Sequence, residues 1–155
     1  MNTNKKIMII EDNLIFTKVL EKRLRAAGYE TYAVQEGMES IRRVKLYKPD
    51  LILLDLLLPG LDGHKICHFL KFDAKLKNIP VVILTSRDTE GDASLSESAR
   101  ADAYLLKTVH PAVLLSVIGR LIEQYEHYEV DRISFHGEEL KILKRMPDPV
   151  HEDAF

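Results

Sequence analysis

Three short apolar runs rich in branched side chains punctuate the chain: Ile7-Met8-Ile9-Ile10, Leu51 to Leu54, and Val81-Val82-Ile83-Leu84. A strand buried on both faces reads as a continuous apolar run, not as an alternation, so the three predict strands of a parallel sheet. Between them the period changes. Ile15, Phe16, Val19, Leu20 and Leu24 recur at helical spacing before Gly28, and Ile41, Val44, Leu46 and Tyr47 precede Lys48-Pro49; both stretches predict amphipathic helices. Two weaker strands are expected at Tyr29 to Val34 and Ala103 to Leu106, and a last helix opens at Pro111, a residue suited to a first helical position, and runs to about Tyr125. Five βα units give an α/β fold, a doubly wound five-stranded parallel sheet with right-handed crossovers covering both faces. In such a sheet a ligand site lies beyond the carboxyl ends of the strands, where the strand order reverses.

Composition narrows the class. The 155 residues are 46% hydrophobic and 30% charged with a formal net charge of -2, the balance of a globular protein with one core and no basic excess for nucleic acid or an acidic membrane surface. The first six residues lack the apolar core of a signal peptide and the longest apolar run is broken by Asp55, so neither export nor a membrane span is expected, and a cytoplasmic location follows. One cysteine, Cys67, excludes an internal disulfide. We expect one domain over residues 1–126 and a C-terminal extension over 127–155 that is too short to fold alone. Within the extension, Ile133 to Ile142 around His136-Gly137 suits a hairpin, and Glu138 to Arg145 suits a helix equally.

The chemistry gathers at strand ends. Glu11-Asp12 follows the first strand, Asp55 ends the third inside an apolar run, Thr85-Ser86 ends the fourth and Lys107 ends the fifth. An acid in so hydrophobic a stretch is costly to bury unless it escapes to solvent or is held for chemistry. Three carboxylates converging to about 4 Å repel by roughly 4 kcal/mol per pair at an effective dielectric of 20, so a positive group must sit among them. Hard oxygen ligands without Cys or His suit Mg²⁺, and Lys107 with the Thr85 hydroxyl suits a phosphoryl group carried on a carboxylate.

These residues resemble the receiver domain of bacterial two-component response regulators. The matching text is Ile10-Glu11-Asp12-Asn13, Lys48-Pro49-Asp50 through Asp55, Leu58-Pro59-Gly60-Leu61-Asp62-Gly63, Leu84-Thr85-Ser86, and Ala101-Asp102-Ala103-Tyr104-Leu105-Leu106-Lys107. The resemblance covers about residues 5 to 125. It implies a flavodoxin-like fold with strand order 2-1-3-4-5 and a single-domain response regulator. Asp55 would take a phosphoryl group from a phosphohistidine of a sensor kinase or phosphotransfer protein. Glu11, Asp12, Asp55 and a backbone carbonyl near Leu57 would hold Mg²⁺, while Lys107 and Thr85 would bind phosphoryl oxygens. It further implies a switch in which Thr85 moves and Tyr104 turns inward, reshaping the face made by the fourth helix, fifth strand and last helix for a downstream protein target. The chain would then be a phosphoacceptor and not an enzyme, with homodimerisation an open option. Leu57 and Arg87 stand where the family influences phosphoryl loss, and we expect them to restrict water and lengthen the phosphorylated state.

One position departs from the family: after Lys107 it usually has proline, often with a cis bond, and here Thr108 follows, which leaves cis or trans open. Two alternatives remain beside the leading one. An aspartyl-nucleophile phosphohydrolase of the haloacid dehalogenase type needs a second acid where Leu57 stands, and a receiver fragment of a longer multidomain regulator would share every motif. A flavodoxin-like cofactor binder is disfavoured because Glu11-Asp12-Asn13 is acidic and no Gly-rich cradle is present. His64 and His68 lie at i and i+4 around Cys67, but no fourth ligand is near for zinc; Cys67 is expected in the core and the histidines on the surface. The basic clusters Arg42 to Lys45 and Lys141 to Arg145 are expected to be solvated faces, and no direct nucleic-acid binding is expected.

Overall fold

A computed structural model describes residues 4–86 and 99–134 of the chain. The elements are β1 (Lys6–Ile10), α1 (Leu14–Ala26), β2 (Glu30–Val34), α2 (Gly37–Tyr47), β3 (Leu51–Leu54), β4 (Leu57–Leu58), β5 (Leu61–Asp62), α3 (Gly63–Phe72), β6 (Val81–Thr85), β7 (Ala103–Leu106) and α4 (Pro111–Ser134). The three apolar runs are β1, β3 and β6, and every pairing in the five-stranded sheet is parallel, in the order β2-β1-β3-β6-β7. Apart from the small hairpin, this is the expected order.

Because successive side chains of a strand point to opposite faces, each apolar run feeds two cores. Met8, Ile10, Ile52, Leu54 and Ile83 pack with Val44 of α2 and Ile66 and Leu70 of α3. Ile7, Ile9, Leu53, Val82 and Leu105 pack with Leu20 and Leu24 of α1 and with Val117, Ile118 and Leu121 of α4. Continuous runs were therefore required: a polar residue at any of these positions would face one core or the other.

Four features differ from the sequence reading. The buried face of α1 is Thr17, Leu20 and Leu24, while Ile15 is 79% exposed and Val19 39%; apolar residues fill a wider arc than the sheet covers, and Thr17 is tolerated inside because its hydroxyl donates to the Asn13 carbonyl at 2.9 Å. Leu46 is likewise exposed, because α2 turns Gly37, Ser40 and Val44 inward. The run after Asp55 forms a hairpin, β4 and β5, around Pro59-Gly60, with Gly60 at φ 70°, the positive value that the second turn residue after proline needs. Helix α4, expected to stop near Tyr125, continues to Ser134. The expected fourth helix, Arg87, and the segment around His136-Gly137 lie outside the described residues.

Candidate functional site

Glu11, Asp55 and Lys107 each stand one step past a strand and Thr85 at a strand's last position, and the backbone ladder extends to hold the first three. The Glu11 N–H donates to the Val34 carbonyl at 3.0 Å, the Asp55 N–H to Ile10 at 3.0 Å, and the Lys107 N–H to Thr85 at 2.8 Å. Register sets the spacing: Ile10 faces Leu54 across β1–β3, and Thr85 faces Leu106 across β6–β7. The Glu11 and Asp55 carboxylates thus hang from the adjacent strands β1 and β3, and the ammonium from β7, with β6 between, all in one sheet.

The convergence expected from the sequence is present. One carboxylate oxygen from each of Glu11, Asp12 and Asp55 lies within 4.8 Å of the others, Glu11 and Asp55 being buried and Asp12 exposed. Lys107 Nζ lies 2.5 Å from Glu11 Oε1 and 3.4 Å from Asp55 Oδ2. Burial pushes the Glu11 carboxyl above its ordinary range, opposed by hydrogen bonds from Lys107 and from the Asn13 N–H. The Leu57 N–H donates to Asp55 Oδ1 at 3.3 Å, and the Leu57 side chain is 44% exposed. Thr85 and Tyr104 are both buried, Tyr104 in the core with Ile83, Ala99 and Ala101. The Lys107–Thr108 bond is trans, as are all the described peptide bonds.

Three contributors escaped the sequence reading. Asn13 caps α1, its side chain accepting from the Phe16 N–H at 3.0 Å, which an Asn directly before an apolar periodic run could have signalled. Phe16, read as part of a core stripe, packs against that core and also holds its ring under Lys107, with Nζ 4.7 Å from the centroid. Gly63 admits no side chain: a Cβ there would meet the Asp55 carbonyl oxygen at 2.5 Å and Leu56 Cα at 2.6 Å. The start of α3 therefore rests directly on the backbone of Asp55.

The remaining histidine and cysteine expectations divide. Cys67 is buried, as expected, with its thiol pushed up to about 12 by burial. His64, expected at the surface, is buried and its Nδ1 lies 3.1 Å from Asp62 Oδ1, because Asp62 caps α3 through the His64 N–H at 2.9 Å and draws the side chain over. His68 stacks on Phe72. Among the described residues, Glu11, Asp12 and Asp55 are the only group of three His, Cys, Asp or Glu side chains close enough to share a metal ion.

Residues 7–119 match the profile of the response regulator receiver domain. The chain belongs to this family. As a receiver domain it is 32% identical over 124 residues to the polar-differentiation response regulator DivK of Brucella anthropi, covering 80% of this chain and 95% of that protein. It is 27% identical over 137 residues to the DNA-binding response regulator MtrA of Mycolicibacterium paratuberculosis, covering 88% of this chain and 60% of MtrA. It spans 56% of ycf27 of Cyanophora paradoxa, to which it is 32% identical over 138 residues. Among solved structures, the signal receiver domain of a histidine kinase from Syntrophus aciditrophicus superposes with a TM-score of 0.72 at 35% identity, covering 77% of this chain and 90% of that one. The receiver domain of a sensor histidine kinase from Pseudomonas aeruginosa PAO1, solved with magnesium coordinated in its active-site cleft, gives 0.72 at 29% identity, covering 78% and 99%. No described helix of this receiver domain is long and apolar enough to cross a membrane.

Proposed function

We propose that Asp55 accepts a phosphoryl group from a phosphohistidine on a sensor kinase or phosphotransfer protein, and that the chain works as a cytoplasmic switch whose output is protein binding. The observation that carries this is the meeting of Glu11, Asp12 and Asp55 within 4.8 Å, with Lys107 Nζ reaching two of them. Three carboxylate donors without nitrogen or sulfur suit Mg²⁺, which Glu11, Asp12 and Asp55 would hold together with the backbone near Leu57. When bound, the ion supplies charge neutralisation for the phosphoryl oxygens.

The chain's own residues supply the rest. Asp55 presents a carboxylate oxygen as nucleophile, its other oxygen held by the Leu57 N–H. Lys107 acts as a fixed charge, not as a base, and with the Thr85 hydroxyl binds the oxygens transferred with phosphorus. Through a loose transition state this is chiefly positioning and charge neutralisation. Thr85 and Tyr104 are the switch positions; driving a two-state equilibrium from 1:99 to 99:1 needs about 5.5 kcal/mol of differential stabilisation, which charge-assisted bonds at Asp55 can largely supply. A phosphohydrolase role is disfavoured because Leu57 occupies the place of the second acid. Residues 1–126 form the receiver unit in this reading and 127–155 an extension, open to a role in homodimer formation.

The test is intact-mass measurement after incubation with acetyl phosphate and Mg²⁺. The wild type gains one phosphoryl mass and Asp55→Ala gains none. Equal labelling of both, or labelling of neither, refutes the assignment.

A further inference from the structure

Lys107 must hold its ammonium in one place, yet its local sequence does not constrain it. A proline after a residue restricts that residue's backbone, and here Thr108 follows through a trans bond. The side chain itself is a flexible four-carbon stem. Its direction must come from what surrounds it. On one side lie the carboxylates of Glu11 and Asp55, at 2.5 and 3.4 Å from Nζ. The ring of Phe16 is a further neighbour of the ammonium, with its centroid 4.7 Å from Nζ.

Phe16 is well placed for this. Its N–H is tied to the Asn13 side chain at 3.0 Å, and Asn13 in turn donates its own N–H to Glu11 Oε2 at 3.1 Å. The ring is half-buried, packed against the cluster that contains Leu20 and Leu105. One short segment, 11–16, therefore delivers two carboxylates and an aromatic face, and the Phe16 backbone is tied to the Glu11 carboxylate through Asn13 by two backbone-to-side-chain hydrogen bonds. An aromatic face attracts a cation through its quadrupole, more strongly where water is partly excluded; the Lys107 side chain is 18% exposed.

We propose that Phe16 is a positioning residue for Lys107, its ring face fixing the ammonium against Glu11 and Asp55 in place of the backbone restraint that proline would supply. The proposal rests on the reading of Lys107 as the cation that meets the phosphoryl group. It gives position 16 a role in phosphotransfer that acts through Lys107.

The test uses the full chain labelled with ¹³C at lysine Cε, with the Lys107 signal assigned through Lys107→Arg. A ring face shields the protons above it, so the wild-type Lys107 ε-methylene protons lie upfield of the other lysines. Phe16→Tyr retains the shift and Phe16→Leu loses it. Phosphorylation by acetyl phosphate slows by about three- to tenfold in Phe16→Leu, the range expected for a partly desolvated cation–π contact, and Phe16→Tyr stays close to wild type. An unshifted Lys107 signal in the wild type, or equal phosphorylation rates in Phe16→Leu and wild type, overturns the proposal. Equal slowing in Phe16→Tyr and Phe16→Leu also overturns it, since bulk packing would then explain the loss. If the wild type takes no phosphoryl group, the Asp55 assignment fails, while the shift comparison still decides whether Phe16 aims Lys107.

Discussion

Replacing Lys71 by methionine tests the polar network at the end of the sheet opposite the acidic site. Lys71 Nζ, in a side chain 5% exposed, donates to Asp102 Oδ2 at 2.9 Å, to the Lys77 and Ile79 carbonyls at 3.0 Å each, and to the Tyr125 hydroxyl at 3.1 Å. Asp102 also accepts from the Val81 N–H at 2.7 Å and from the Tyr125 hydroxyl. Methionine keeps an apolar stem of similar length and removes the charge with its donors, leaving a buried carboxylate without its counter-ion and two loop carbonyls without this donor. Breaking a buried pair from one side costs about 3–5 kcal/mol, because the remaining charge stays desolvated. A domain of this size has roughly 5–15 kcal/mol in total, so the variant should lie at the edge of folding. Urea denaturation followed by circular dichroism reads the loss as a lower midpoint at unchanged slope. Tyr125→Phe, which removes one hydroxyl and no charge, should cost about 1–2 kcal/mol and serves where the methionine variant does not fold. A loss below about 1 kcal/mol for Lys71→Met would refute the reasoning.

Gly63→Ala drives a methyl group against the Asp55 carbonyl; we expect slower labelling by acetyl phosphate together with a lower urea midpoint, whereas a fully active, equally stable variant would show that α3 can retreat without moving Asp55. With its thiol near 12, Cys67 should resist iodoacetamide at pH 8 in the folded protein and react within minutes in urea, as mass spectrometry reports; rapid alkylation without denaturant contradicts its burial. Leu57→Asn places an amide able to hold water beside Asp55 Oδ1 and should shorten the lifetime of the phosphorylated protein severalfold, followed as loss of the phosphoryl mass. Release within seconds from the kinase-free wild type would sink the water-excluding role of Leu57.

The sheet was legible because parallel strands buried on both faces leave a one-dimensional signature: β1, β3 and β6 needed apolar side chains at every position and have them. The acidic site was legible for a related reason, since polar groups at the ends of such runs must lie together once the strands are paired. Helix faces were less so. Ile15 and Leu46 look like core residues by period, and only the arc that the sheet covers decides that Thr17 and Ser40 go inside instead. The Lys71–Asp102–Tyr125 cluster joins residues up to 54 positions apart, and nothing local to any of them announces a partner. His64 was misplaced because the cap made by Asp62 redirects it, a one-turn effect that hydrophobic period does not register. Phe16 carried a correct assignment to the core but a second contact that depends on where Lys107 lies in space.

The hydrogen bonds that continue the ladder through Glu11, Asp55 and Lys107 have a consequence for how the protein breathes. An amide at a loop tip exchanges with solvent through small local openings, but these three are bonded to the carbonyls of Val34, Ile10 and Thr85 on the neighbouring strands and are freed only when strands part. Their exchange rates should track global unfolding even though their side chains face the open end of the sheet. The reacting centre and the folding core then melt as one cooperative unit, and a destabilised variant that remains folded should keep an intact site instead of losing it by degrees.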